Sequence, residues 1–328
     1  GREVQKKLVE IENQNQKLDA LTQSIEQQNY LLDKSNIQNE QDRVKLLAQI
    51  ENLIQSMNSI RINFKNKNPN VNAGIAQNTQ ELKEKYASAK NSLVELVKKF
   101  YGLLIQETDR IKQQIALSSQ DMNYLDNELN TELKSQERYF KNLWNKVFHM
   151  NKDQNANLQK DFKIVQDMRS NIAMILMEIR KNVQNLRNSH KSLGSLNNED
   201  LSLANEFNAN LKGQNLDINK SIEQIKKLRM NLGKEMAINN YASLKNQKIL
   251  ELRAKIAEYH KQLILLNQAI SQEIEKIMSN VQNNPQNPAL ELGSSEQVLR
   301  RESRITGAED LQNIEKELAI KNKLKKRR

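Results

Sequence analysis

The chain has 328 residues, with 51 Lys and Arg against 40 Asp and Glu for a net charge of +11, 37% apolar and 4% aromatic residues, 8 glycines, 3 prolines and no cysteine. That apolar share is thin for a globular interior but sufficient for helical stripes, which need about two residues in seven, and the scarcity of Gly and Pro removes the usual helix breakers. Disulfides and thiolate metal sites are excluded, and the longest uncharged run, 277–290, is only 14 residues and contains Asn, Gln and Pro, so it is too short and polar to span a bilayer. An all-α fold is expected, an elongated coiled coil of long helices. The chain begins at Gly1, and a processed or excised start is expected.

Residues 1–64 carry the clearest signal. A strict 4,3 spacing runs from Val4 through Leu8, Ile11, Asn15, Leu18, Thr22, Ile25, Asn29, Leu32, Asn36, Asn39, Arg43, Leu46, Ile50, Leu53, Met57 and Ile60 to Phe64, and 12 of these 18 slots are apolar. A 3.5-residue repeat held this long makes two helices wrap around each other, because an unsupercoiled helix rotates its stripe away by about 20° per heptad. With Leu18, Ile25 and Leu32 as d positions, Asn15, Asn29 and Asn36 fall at a, where a buried Asn pair sets register and strand number. This segment is expected to pair with a partner helix of the same or another chain.

A hinge is expected at 65–78, around Pro69 and Gly74, since Pro breaks the hydrogen-bond ladder. The next helical segment, 79–193, carries a stripe from Leu82 to Val147 and from Leu158 to Leu193. A stutter falls near Gly102, and a polar stretch at 151–157 is either a turn or an exposed part of one continuous helix. A turn is expected at 194–198, with Gly194 as a helix stop and Asn197, Asn198, Glu199 and Asp200 as the next helix start. This turn would make a helical hairpin. The segment 199–282 follows, with an apparent change of phase between Met236 and Ile249. Pro285 and Pro288 then open a linker, 283–307, because each Pro disfavours helix at its predecessor. Residues 308–328 read as a short amphipathic helix over 308–324 running into a basic tail, Lys321, Lys323, Lys325, Lys326, Arg327 and Arg328.

No catalytic constellation emerges. His149, His190 and His260 are far apart and lack His or Cys partners at metal-ligand spacing, and no Gly-rich phosphate loop or nucleophile elbow is present. No enzyme activity, cofactor or metal is expected. The positive charge is spread thinly, and the strictest heptad segment is slightly acidic, with 8 basic and 9 acidic residues over 1–64, so nucleic acid is not an expected partner. The tail is the exception, a cluster able to meet phosphates, anionic lipid headgroups or an acidic protein surface. Arg300, Arg301 and Ser303 form an Arg-Arg-x-Ser pattern where a phosphate would alter that contact.

These features point to a structural protein, a rod, tether or scaffold in a filamentous, cytoskeletal or motility assembly, contacting partner helices and other subunits. Two alternatives stand beside it: a basic helical bundle of BAR type on anionic membranes, and an exported bacterial surface or appendage protein. A cytoplasmic or cytoskeletal location fits the first reading and a cell-surface one the last.

Overall fold

The computed structural model describes residues 2–66, 73–148 and 152–283. The described backbone is helical except at residues 213–217, so the fold is all-α. Six α-helices follow one another: α1 (Arg2–Tyr30), α2 (Ile37–Asn66), α3 (Ala73–Asn123), α4 (Asn130–Phe148), α5 (Lys152–Lys212) and α6 (Ile218–Asn283). A π-helical turn, Leu31–Asn36, links α1 to α2, and a second, Tyr124–Leu129, links α3 to α4. The chain divides into two compact units. The first takes the described parts of Gly1–Gln27, Leu117–Leu186 and Leu244–Arg328, the second Gln28–Ala116 and Arg187–Ser243.

The second unit is a four-helix packing of antiparallel neighbours. Glu40 meets Asn239, Arg43 meets Glu235 and Glu51 meets Arg229, so α6 runs down as α2 runs up. Lys90 reaches the Gly213 carbonyl and Asn197 the Leu104 carbonyl, which pairs α3 with α5 in the same sense, and Asp200 to Asn231 pairs α5 with α6. The core takes a stripe from each helix: Leu47, Ile50, Ile54 and Met57 from α2, Leu93, Val97, Phe100 and Leu104 from α3, Leu203, Phe207 and Leu211 from α5, and Ile218, Ile225, Leu228 and Leu232 from α6. Each of these side chains stabilises the folded state by about 1.5–3 kcal/mol through the apolar area it removes from water.

In the first unit α1, α4, α5 and α6 supply the helices. Arg253 of α6 bonds Asn15 and Asp19 of α1, Lys248 of α6 bonds Glu178 of α5, and Arg180 of α5 bonds Asp126 of the second π-helical turn. Arg169 lies under the influence of Glu137, so α4 and α5 are antiparallel. They form a hairpin. The helix α5 starts at Lys152, and the polar stretch expected as a turn is therefore helical from that residue onward.

Three expectations are corrected. The residues 194–198 lie inside α5, and the chain turns instead at residues 213–217. The polar residues that resembled a helix start are core contacts: Asn197 donates to the Leu104 carbonyl at 3.1 Å and accepts from Thr108 at 2.6 Å, while Asp200 accepts from Asn231 at 2.8 Å. At the real turn Gly213 N–H closes α5 on the Ala209 and Asn210 carbonyls, and Asp217 caps α6 by accepting from the Lys220 amide at 3.1 Å.

The second correction concerns the stripe of the first helices. Its buried positions are Ile11, Gln14, Leu18, Leu21, Ile25, Gln28 and Leu32, then Asn36, Asn39, Arg43, Leu47, Ile50, Ile54 and Met57. Asn15, Thr22 and Asn29 are only half-buried, one residue past the core. Two four-residue steps, from Gln28 to Leu32 and on to Asn36, coincide with the π-helical turn, whose extra residue resets the phase. A helix with neighbours on two sides also buries a wider face than a two-stranded seam. The stripe is covered within this chain.

The third is the apparent change of phase in α6. Leu232, Glu235, Asn239, Ala242, Asn246 and Ile249 are all buried at alternating three- and four-residue steps, so the period is unbroken and polar residues occupy the slots where an apolar one was sought. Met236, expected in the stripe, is 39% exposed.

A Cβ built on Gly194 meets only the side chains of Ile111 and Ile115, both at 3.8 Å, an ordinary contact. Gly194→Ala should therefore raise stability by about 0.5–1 kcal/mol in urea unfolding, the usual gain of Ala over Gly inside a helix. A loss of stability would mean that the residue sits in a turn.

Candidate functional site

The feature that stands apart from ordinary helix packing is a set of charged groups buried in the second unit. Arg43 of α2 is fully buried, and its guanidinium forks onto Glu235 of α6 at 2.7 and 2.8 Å while its Nε donates to Asn39 Oδ1 at 2.7 Å. Asn39 in turn donates to the Leu103 carbonyl of α3 at 3.0 Å. On α3, one turn apart, Arg110 donates to Glu107 from Nη2 at 2.6 Å and from Nε at 3.0 Å, and to Gln114 at 3.0 Å. Arg43 Nη2 lies 3.9 Å from Glu107 and joins the two pairs. Two guanidiniums and two carboxylates thus meet across three helices.

Burial raises the Glu107 carboxyl to about 7 with help from the neighbouring Glu235, against the pull of Arg110 and Arg43. At Glu235 burial pushes the same way, but the Arg43 fork outweighs it and holds this carboxylate below its ordinary range. Next to this quartet, Glu40 accepts from Asn36 at 2.9 Å and from Asn239 at 2.8 Å. Asp200 has Asn231 as its hydrogen-bond donor, and burial pushes it up to about 7.

Both described histidines are buried and held neutral. Burial first, and Arg110 second, lower His190 to about 4, and burial with Arg253 does the same for His260 in the first unit.

The first unit carries a different feature. Beside the second π-helical turn, an open groove of about 260 Å³ lies between Leu125, Asp126, Leu129, Asn130, Lys134 and Glu137 on one side and Ala173, Leu176, Met177 and Arg180 on the other. The Arg180–Asp126 ion pair, 2.7 Å, lies across it. Among the described residues no group of three or more His, Asp or Glu is placed to hold a metal ion, and no helix is long and apolar enough to cross a membrane.

The residues singled out from sequence are scattered by this geometry. Asn36 belongs to the buried polar set of the second unit, whereas Asn15 is half-buried and accepts from Arg253 at 2.8 Å. Asn29 is half-buried and not a core residue. Gly74 lies in the first turn of α3 and Gly194 inside α5. Pro69, Pro285, Pro288, His149, the Arg300–Ser303 pattern and the tail residues Lys321, Lys323, Lys325, Lys326, Arg327 and Arg328 lie outside the described residues. Glu107, Arg110 and Glu235 were missed because a search for apolar periodicity skips charged slots. The signal was present, since Arg43 filled a heptad slot and Glu107 lies between Leu104 and Ile111 on the stripe of α3.

Compared with family models, with curated proteins and with solved structures, the chain matches none.

Removing one member of the quartet strands a buried charge. Arg43→Met should cost about 3–5 kcal/mol in urea unfolding, and pairing it with Glu235→Leu should cost less than the sum of the single changes, because the second substitution removes the stranded carboxylate. Additive effects would contradict the pairing. The pH dependence has two opposed parts. Asp200 has a folded value near 7 against 3.8, so its contribution is full below about pH 4 and is lost as pH rises through 7; Asp200→Asn should remove that loss. His190, at about 4 against 6.5, contributes fully above pH 6.5 and loses this as pH falls through 4, so His190→Gln should flatten the acid side.

Proposed function

We propose that the chain is a non-catalytic structural protein, a scaffold or tether that holds the subunits of an assembly at set positions on helices locked in one register. The observation that carries this reading is the buried quartet Arg43, Glu235, Glu107 and Arg110. Apolar stripes tolerate sliding, since one heptad of Leu and Ile packs much like the next, whereas a slide by one heptad would set a buried guanidinium against apolar side chains. Buried polar groups that pair in one arrangement are the best-attested device for fixing helix register. A scaffold needs that property, because its attachment points must keep constant spacing. The apolar stripes are already covered within the chain, which leaves polar outer faces for partners. A filamentous, cytoskeletal or motility assembly is the setting proposed.

Cross-linking mass spectrometry on the native assembly tests this. Links to the same neighbouring subunits should arise from well-separated positions on the chain, alongside intrachain links that obey the antiparallel pairing of α2 with α6. A chain carrying only intrachain links would contradict the reading. So would an activity on a small molecule that disappears on changing one polar residue while helicity is unchanged.

A further inference from the structure

We propose that the groove beside the second π-helical turn seats the chain's own residues 308–324, which dock there as an internal fifth helix. Leu125, Leu129 and Leu176 form the floor of the groove, and Met177, 72% exposed, stands at its edge. At about 260 Å³ it is smaller than the roughly 300–1,000 Å³ of small-molecule sites, and it suits a few aliphatic side chains from a helix lying across it. It lies on a π-helical turn, an irregularity that concentrates at functional positions.

Topology and charge select the occupant. The helix α6 ends at Asn283 in the same unit as the groove, and 45 residues follow. Lys248 of α6 bonds Glu178, close to the groove on α5, and from there to Asn283 the helix covers about 50 Å at ~1.5 Å per residue. The 24 residues 284–307 span up to ~80 Å when extended, enough to bring residue 308 back. Leu311, Ile314 and Leu318 then follow at steps of three and four, the spacing of one helix face. The wall of the groove belongs to the stretch 121–137, which carries five acidic residues and one basic, and the segment runs into a tail with six basic residues among its last eight. Opposite charges at this density attract at low ionic strength and lose that attraction in salt.

The chain has no cysteine, so Lys134→Cys on the groove and Gln312→Cys in the segment place two unique thiols in the full chain. With a short bis-maleimide reagent in dilute, low-salt solution, the expected product is an intramolecular link at monomer mass. A tail that merely samples the space around its anchor also reacts to some extent, so the deciding comparison adds Leu311→Glu and Leu318→Glu. These lie outside the bundle and leave its unfolding unchanged. The intramolecular yield should fall by more than about tenfold, the change expected when ~1.4 kcal/mol or more of docking is lost. A yield indifferent to the two Glu substitutions overturns the proposal. So does a product found only at dimer mass, which would assign the groove to a second copy.

Discussion

A guanidinium withdrawn from water must find hydrogen-bond acceptors on nearly every side, and for Arg43 they come from three directions. Asn39 supplies one from its own helix, Glu235 takes both terminal nitrogens from α6, and Glu107 stands beyond them on α3. The rest of the second unit depends on this requirement. Once α2, α3 and α6 are fixed by it, Leu47, Phe100 and Leu228 have one way to interdigitate, and α5 follows through Asn197 and Asp200, whose partners lie on α3 and α6. Apolar burial supplies most of the stabilisation, since it acts at every core position. The polar layer contributes little net stability and decides which of several similar packings is occupied.

The first unit is arranged on another principle. Its cross-helix polar contacts lie nearer the surface: Arg180 pairs with Asp126, and Arg253 reaches Asp19, at solvent-facing positions where water screens the attraction. The core of α5 there is continuous and apolar, from Leu158 through Phe162, Val165, Met168, Ile172, Ile175 and Ile179. It carries the groove, where the π-helical turn interrupts the regular pitch of its neighbour. One unit is thus specified by buried charge, and the other leaves an apolar opening.

How much of this was legible in the sequence follows from the physics of each element. The stripe of α5 was read almost residue for residue, because Leu158, Phe162, Val165, Ile172, Ile179, Val183, Leu186 and Leu193 repeat at three and four and are all buried. The stripe of α1 and α2 was read one residue out of phase at Asn15, Thr22 and Asn29, because a two-helix template was laid on a helix that buries a wider face and gains a residue at Leu31–Asn36. The turn was placed at Gly194 because the residues after it match a helix start, whereas the real turn carries its own signal in Gly213 and in the Asp217 cap. Local patterns cannot distinguish a polar residue that caps a helix from one that bonds another helix; only the partner does. For the same reason the quartet was invisible as a site: each member alone is a charged residue on a helix, and the pairing joins residues 192 positions apart.

The central claim is that α2 is covered by α6 of the same chain, antiparallel and in a single register. Because the chain has no cysteine, Glu51→Cys can be combined with either Arg229→Cys or Met236→Cys and treated with a bis-thiol reagent shorter than the roughly 10 Å rise of one heptad. Glu51 and Arg229 are an ion pair in the structure, so the first combination should close within one chain at high yield, and the second, one heptad away, should not. Equal yields from the two combinations, or products found only between chains, would contradict the account.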